Sequence, residues 1–431
     1  MSEAERSASP RETEASEDRR SRHLALFIRS LGANGAGAER IWLHLAEAFA
    51  ARGHRVDLVL GRLQGHLADA VPPGVRVVDL AVRSRLPLVG AALRDPRAAR
   101  SLAPALLALP PPWILAAVPA LAAYLVRERP DALLSALSYS NLAALWARER
   151  AGIPVRVVIS ERNTLSVRSA HARGLQWRVL PKVEARWYPR ADAILAVSEG
   201  VADDLARTAG LARDRITVTY NPVDTAAVEA AAREPLAHEW LRPGELPIVL
   251  GVGKLKPQKG FDVLLRAFAR VRAARAARLV ILGEGPQRRA LERLARELGL
   301  GSDDLALPGF VANPYAWMAR SAVFALSSRW EGLPNALIEA LACGCAVVSS
   351  DCPSGPAEIL GAGRLGALVP VDDADALAAA IGRALTPTDP TARRARASDF
   401  AVERIAPRYL AALLPEATLD TNAASRSAIG E

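Results

Sequence analysis

The chain is expected to fold as an α/β protein on parallel sheets, and three observations predict it. Apolar strand-like runs alternate with helix-like segments from His23 onward. Several of those runs stop at a small group of polar residues, as parallel strands do where their ends meet a ligand. The length, 431 residues with 51% hydrophobic content, suits two or three domains with sizeable cores.

The elements follow in order. His23–Ile28 reads as a buried first strand. Gly32, Gly35 and Gly37 make a glycine-rich turn. Residues 38–52 then read as a helix with Ile41, Leu45, Ala48 and Phe49 on one face. Gly53 ends it, and Arg55–Leu60 is the second strand, a βαβ start. Its glycines are spaced G-x-x-G-x-G, and Asp57 lies early in the second strand instead of closing it. Both depart from the dinucleotide-binding fingerprint, which is set aside. Strands are expected at 131–136, 155–160, 193–198 and 216–220, with polar ends at Tyr139 to Asn141, Glu161 to Asn163, Glu199 and Asn221. Residues 226–246 are weakly patterned and read as a connection. A second domain starts with a strand at 247–253, continues through a helix facing inward by Val263, Leu264, Ala267 and Phe268, and has further strands near 279–282, 307–311 and 345–350. Asp373-Ala374-Asp375 spells D-x-D but opens a helix over 372–385, so an N-cap is expected there, not a metal site. A last amphipathic helix is expected over 400–414.

Composition narrows the partners. The formal charge is +9 and aromatics make up 5%. A basic chain fits phosphate-bearing substrates or anionic membrane. With no helix-turn-helix, zinc-finger or aromatic-basic stacking pattern, no nucleic-acid partner is expected. Cys343, Cys345 and Cys352 are an odd, clustered set without zinc spacing, so they are expected as small buried or half-buried thiols in a reducing cytosol. Residues 1–21 are polar and charged, without the apolar run of a signal peptide. Between Arg100 and Arg127 no residue is charged. That run is long enough to span a bilayer, but Pro110 to Pro112 break any helix, so a pair of short, partly buried helices touching the lipid interface is expected. Arg76, Arg83, Arg85, Arg94, Arg97 and Arg100 face only Asp79 and Asp95; the surplus reads either as a solvated basic loop or as a surface for anionic head groups.

The chemistry-bearing stretch runs from Arg329 to Glu339, R-W-E-G-L-P-N-A-L-I-E. Pro334 suits a first helical turn, which puts Glu331 in the loop and Glu339 on the second turn. Amides around Gly332 and Leu333 would make a helix N-terminus that attracts a diphosphate. Two such glutamates alone also fit a solvated loop and an exposed helix face; their setting between buried strands favours a ligand site.

Residues 328–344, continued by 352–359, resemble the donor-site signature of family 4 retaining glycosyltransferases, and the resemblance runs in order from about residue 22 to 414. It implies the GT-B architecture: two Rossmann-like domains facing across a cleft, with a C-terminal helix returning to the first. The domains would be a tail (1–21), an acceptor domain (22–225), a linker (226–246), a nucleotide-sugar domain (247–390) and a returning helix with loose tail (391–431). The resemblance assigns Glu331 to the transferred sugar, Glu339 to the ribose, and Lys254 and Lys259 to the departing diphosphate. Gly253 leads into those lysines, and Gly283, Glu284 and Gly285 let the backbone approach the donor. Phe310 and Val311 would flank the base, and Gly332, Leu333 and Asn335 would supply contacts to phosphate and sugar. Gly35, Ala36, Gly37 and Asn163 would line the acceptor or phosphate loop. No metal and no cofactor are required; the donor is a nucleoside-diphosphate sugar, taken as UDP-linked. The expected activity is hexosyl or N-acetylhexosaminyl transfer to a glycan or lipid-linked saccharide in polysaccharide biosynthesis, at a cytoplasmic location peripheral to the inner membrane face. GDP-mannose as donor, a nucleotide-sugar epimerase on the same fold and an inactive sugar-nucleotide module are the alternatives.

Overall fold

The computed structural model describes residues 21–32, 37–65, 67–106, 112–171, 175–242 and 244–415. Two sheets organise them. The first has β1 (His23–Ile28), β2 (Arg55–Leu60), β3 (Val75–Asp79), β4 (Ala132–Ala136), β5 (Arg156–Glu161), β6 (Ala193–Ala196) and β7 (Ile216–Val218), in the order 3-2-1-4-5-6-7. The second has β8 (Ile248–Val252), β9 (Arg278–Leu282), β10 (Leu305–Gly309), β11 (Val323–Leu326), β12 (Ala346–Ser350) and β13 (Ala367–Val369), in the order 10-9-8-11-12-13. Every pairing in the second sheet is parallel, as are those joining β3 through β5 in the first. This is the Rossmann strand order, twice. In each sheet the order reverses beside its first strand, next to β4 and next to β11, and such switch points are where open parallel sheets hold ligands. The expectation of two Rossmann-like α/β domains is met.

By contact density the chain parts into two units. One takes residues 1–160, 186–194 and 408–431; the other takes 161–185 and 195–407. The last helix, Val402–Leu413, therefore begins in the second unit and ends in the first. It starts two residues later than the pattern predicted. The segment read as a connection holds a helix at Thr225–Ala232 and a short 3-10 turn at Glu239–Leu241.

The strands read as apolar runs because helices cover both faces of a parallel sheet. Leu24 to Ile28 are all fully buried. The helix Gly37–Ala50 buries Ile41, Leu45, Ala48 and Phe49, as its periodicity predicted. In the second unit Val263, Leu264, Ala267, Phe268 and Val271 of the helix Phe261–Ala274 share a core with Val249, Leu279, Ile281, Val323 and Ala325.

The uncharged run between Arg100 and Arg127 is partly in two helices, Pro96–Leu106 and Val118–Glu128, with a 3-10 turn at Trp113–Ala117; residues 107–111 lie outside the described set. Its described part is more buried than expected. Leu102, Ala105, Leu115, Val118, Leu121 and Leu125 are fully covered, and Val126, 46% exposed, is its large apolar side chain facing solvent. Among the described residues no helix is long and apolar enough to cross a membrane. The three cysteines are free and buried, as expected, and burial pushes each thiol up to about 12.

Asp57 is the one fully buried carboxylate of the first sheet's β2 strand. Arg76 on β3 donates to it through Nε at 2.8 Å, the Tyr124 hydroxyl donates at 2.7 Å, and His23 Nε2 lies 2.9 Å away. Burial pushes the carboxyl up, but the hydrogen bonds from Arg76, His23 and Tyr124 outweigh it and hold the group well below the usual carboxylate range. A carboxyl depressed in the folded state stabilises the fold above its unfolded pKa, about 4. That contribution is lost as pH falls from there towards the lower folded value. Asp57→Ala is expected to cost about 3 kcal/mol by stranding its partners, measured as a lower urea midpoint near neutral pH. The deficit relative to the parent should shrink as the pH drops below 4.

Candidate functional site

The second sheet's switch point lies between β8 and β11, and the loops leaving those two strands carry the chemistry. After β8 come Gly253, Lys254, Lys256 and Lys259; after β11 come Ser327, Ser328 and Glu331. Three lysines within six residues raise the local positive potential. Partial burial and the neighbouring Lys254 and Lys259 charges hold the Lys256 ammonium below its ordinary pKa.

Lys259 Nζ donates to Glu331 Oε1 at 2.5 Å, and Ser328 Oγ donates to the same oxygen at 2.6 Å. Glu331 is only 7% exposed, so these donors supply what water would otherwise give. The two loops are laced together around this contact. Ser327 Oγ donates to Lys259 O at 2.9 Å, Gln258 Nε2 to Trp330 O at 2.9 Å, and the Arg329 amide to Gln258 O at 2.7 Å. Arg329 braces the outside through Asp262 and Asp372, each at 2.7 Å. Gly260 sits at φ +61°, and a methyl there would overlap the Ser327 carbonyl. Only glycine lets the loops approach this closely.

The Gly283-Glu284-Gly285 turn after β9 extends the same surface. The Gly283 amide donates to Gly309 O at 2.7 Å, and the Leu255 amide donates to Glu284 O at 2.9 Å. Side chains at Gly283 or Gly285 would strike the Gly253 or Leu255 backbone. The Glu284 carboxylate, in the turn, pairs with the start of the following helix, Arg288–Glu297: Arg288 donates to it at 2.6 Å and holds it below the usual carboxylate range. Phe310 and Val311 follow β10, with Phe310 62% exposed.

Pro334 caps the helix Asn335–Ala342, so Glu331 is in the loop and Glu339 is on the second turn, as predicted. Glu339 is half-buried, with the Tyr315 hydroxyl 3.5 Å from its Oε1. Ser198 Oγ donates to Gly332 O at 2.8 Å, and Asn221 Nδ2 donates to Leu333 O at 3.3 Å and to Asn335 Oδ1 at 2.6 Å. A trans peptide aims its N–H opposite to its C=O. The grip of Ser198 on the Gly332 carbonyl therefore turns the Leu333 amide the other way. Arg162 Nη2 donates to Asn221 Oδ1 at 2.6 Å, which fixes the orientation of that amide. The Glu358 carboxylate accepts from the Glu199 and Gly200 amides at 2.9 and 3.1 Å, and burial pushes it up from the ordinary range.

The predicted residues thus separate into groups. Gly253, Lys259, Gly283, Gly285 and Glu331 are brought into one neighbourhood, with Lys254 half-buried on the same loop. Gly332, Leu333 and Asn335 meet the Arg162–Asn221 pair, and the Asn163 backbone lies against Gly332. Gly37 opens a helix of the other unit, and Gly35 and Ala36 lie outside the described residues. Asp373 is an N-cap, accepting from the Ala376 amide at 2.9 Å, and Asp375 pairs with Arg270 at 2.6 Å. Arg162 and Asn221 belong to the polar strand ends expected from the sequence, which gave them no specific partners; Ser198 and Ser328 had no expected role, and their place beside a strand end was the available signal.

Two family models cover most of the chain: residues 35–227 match Glycosyltransferase Family 4, and residues 246–387 match Glycosyl transferases group 1. One relative is the N-acetylgalactosamine-N,N'-diacetylbacillosaminyl-diphospho-undecaprenol 4-alpha-N-acetylgalactosaminyltransferase of Campylobacter jejuni, 36% identical over 241 residues, 56% of this chain and 63% of the relative. Another is the alpha-maltose-1-phosphate synthase of Mycolicibacterium smegmatis, 30% identical over 301 residues, 65% of this chain and 76% of that protein. The chain spans 63%, 47% and 54% of the length of three curated relatives it matches. Among solved structures, Anabaena HepE in complex with UDP-glucose superposes with a TM-score of 0.69 at 18% identity, over 89% of this chain and 97% of HepE. That likeness is one of fold.

Gly332→Ala would drive a methyl into the Arg162 carbonyl oxygen. A loss of about 2 kcal/mol is expected, measured as a lower urea midpoint at unchanged m-value. Gly37→Ala, with open space around the new methyl, should stay within about 0.5 kcal/mol of the parent.

Proposed function

We propose, from the premise that this chain belongs to the glycosyltransferases built from the Family 4 and group 1 modules, that it transfers a sugar from a UDP-sugar to a lipid-linked saccharide with retention of anomeric configuration. The observation that carries the reading is the Lys259–Glu331 contact at the ends of β8 and β11, where the strand order of the second sheet reverses.

The chemistry needs a place for charge. As the bond from the anomeric carbon to the diphosphate oxygen breaks, its electron pair stays on the diphosphate. Lys259 and Lys254 stabilise that charge from fixed positions. With the donor bound, Lys259 is shared between phosphate and Glu331, and Glu331 accepts a hydroxyl of the transferred sugar. Glu339 accepts the ribose hydroxyls, Phe310 and Val311 flank the base, and the Leu333 amide turned outward by Ser198 serves the phosphate. The acceptor hydroxyl attacks from the face the diphosphate leaves, and a diphosphate oxygen takes its proton. The lysines, not a metal, carry the diphosphate charge in this reading.

Two points support the finer choices. The Campylobacter relative is named for transfer onto a diphospho-undecaprenol-linked saccharide, which supports a lipid-linked acceptor and an N-acetylhexosamine as the first sugar to test. HepE is described with UDP-glucose, which supports uridine as the base.

Thermal shift against UDP-sugars and GDP-mannose identifies the donor, since a ligand that binds only the folded state raises the melting temperature. Acceptor-dependent release of UDP then reads turnover. Glu331→Gln is expected to lower that release about 100-fold or more with the far-UV spectrum unchanged. Lys259→Met should also remove the donor-induced thermal shift. Turnover equal to the parent in Glu331→Gln would defeat the assignment. Isomerised nucleotide sugar without acceptor would make the chain an epimerase, and a donor shift without any release would make it a binding module.

A further inference from the structure

The helix Leu86–Arg94 carries an apolar row that the fold leaves uncovered. Leu86 and Leu93 are each 78% exposed and Val89 is 57% exposed. Their spacing of three and four residues puts them on one face. The opposite face, Leu88 and Ala91, is buried, against the turn Trp113–Ala117 and the helix Val118–Glu128. The helix therefore spends one apolar face on the core and keeps a second one in water. Solvent contact of three large aliphatic side chains in a row is costly unless something else covers them.

The surrounding charge says what that is. Arg83, Arg85 and Arg94 flank the row, and Arg97 and Arg100 lie on the next helix, Pro96–Leu106; all five are exposed. Among the described residues none of the five takes part in an ion pair, and the nearby carboxylates are engaged elsewhere. Asp79 accepts from the Leu63 and Ala81 amides, and Asp95 from the Trp146 indole and the Ala98 amide. An apolar ridge rimmed by unneutralised guanidinium groups matches the water boundary of an anionic bilayer: aliphatic side chains reach the acyl region while arginines meet the phosphates. A protein partner would have to offer both an apolar groove and an acidic rim.

We propose that the Leu86–Arg94 helix is a docking face for anionic phospholipid, with Leu86, Val89 and Leu93 entering the interface and Arg83, Arg85, Arg94, Arg97 and Arg100 holding the head groups. The lipid-facing element is then this helix, not the uncharged run after Arg100, whose described side chains are mostly in the core. The surface is independent of which sugar is moved.

Flotation of the full chain with vesicles tests it. The chain is expected to float with phosphatidylglycerol-containing vesicles and not with pure phosphatidylcholine, and to be released as ionic strength rises. The double substitution Leu86→Ser with Leu93→Ser should weaken partitioning about tenfold or more. Arg83→Gln with Arg85→Gln should weaken it by about fivefold per arginine. Val126→Ser, on a different helix, should leave it unchanged, and all three variants should release nucleotide to a soluble acceptor as the parent does. Absence of flotation with anionic vesicles overturns the proposal. So does flotation that the serine pair leaves intact. A dimer in lipid-free solution that the serine pair dissociates would assign the face to a second copy of the chain.

Discussion

A carboxylate sunk to 7% exposure needs donors within the protein, and for Glu331 they come from the loops after two different strands: Lys259 after β8, and Ser328 on its own loop after β11. The rest of the second-unit site depends on that meeting. To reach Glu331, the lysine loop must lie almost on top of the serine loop, which is why Gly260 has no room for a side chain above the Ser327 carbonyl. Once the loops are stitched, the glycines of the β9 turn close over the other side of the lysine loop. A cation and a carboxylate are thereby fixed at the reversal of strand order before any ligand arrives. Preorganised charge of this kind reorganises little when a reaction develops charge nearby.

The second constraint is the hold on the segment Gly332 to Asn335. Its carbonyls are taken by Ser198 and Asn221, and Asn221 is itself oriented by Arg162. This chain of side chains leaves a short helix start with its amides directed away from the carbonyl partners. Because Gly332 also lies against the Arg162 backbone, the helix entry has no slack. Fixing it through three separate strand ends places the whole burden on long-range packing.

Much of the framework was legible in the residues. Uninterrupted apolar runs such as Leu24 to Ile28 mark parallel strands covered on both faces, and their ends fell within a residue or two of prediction. Pro334 located the helix start, which put Glu331 in a loop and Glu339 on the second turn. The D-x-D pair read correctly as a cap, because a proline-containing strand end and an alanine-rich helix surround it. The pairing of Lys259 with Glu331, 72 positions apart, followed from the resemblance; what stayed hidden were the side-chain partners supplied by other distant strand ends. Asn221 reaches Asn335 across 114 positions, and Asp57 gathers partners from β1, β3 and the helix holding Tyr124. The apolar residues of Leu86–Arg94 were equally mute, because composition alone does not say which of two apolar helix faces is covered.

The covered thiols have a practical side. Burial pushes all three thiols up, to about 12, which disfavours the thiolate, the form that reacts. Native Cys343, Cys345 and Cys352 should therefore ignore maleimide dyes while the fold is intact. A single cysteine installed on the surface could carry a fluorophore or spin label in an otherwise unmodified chain.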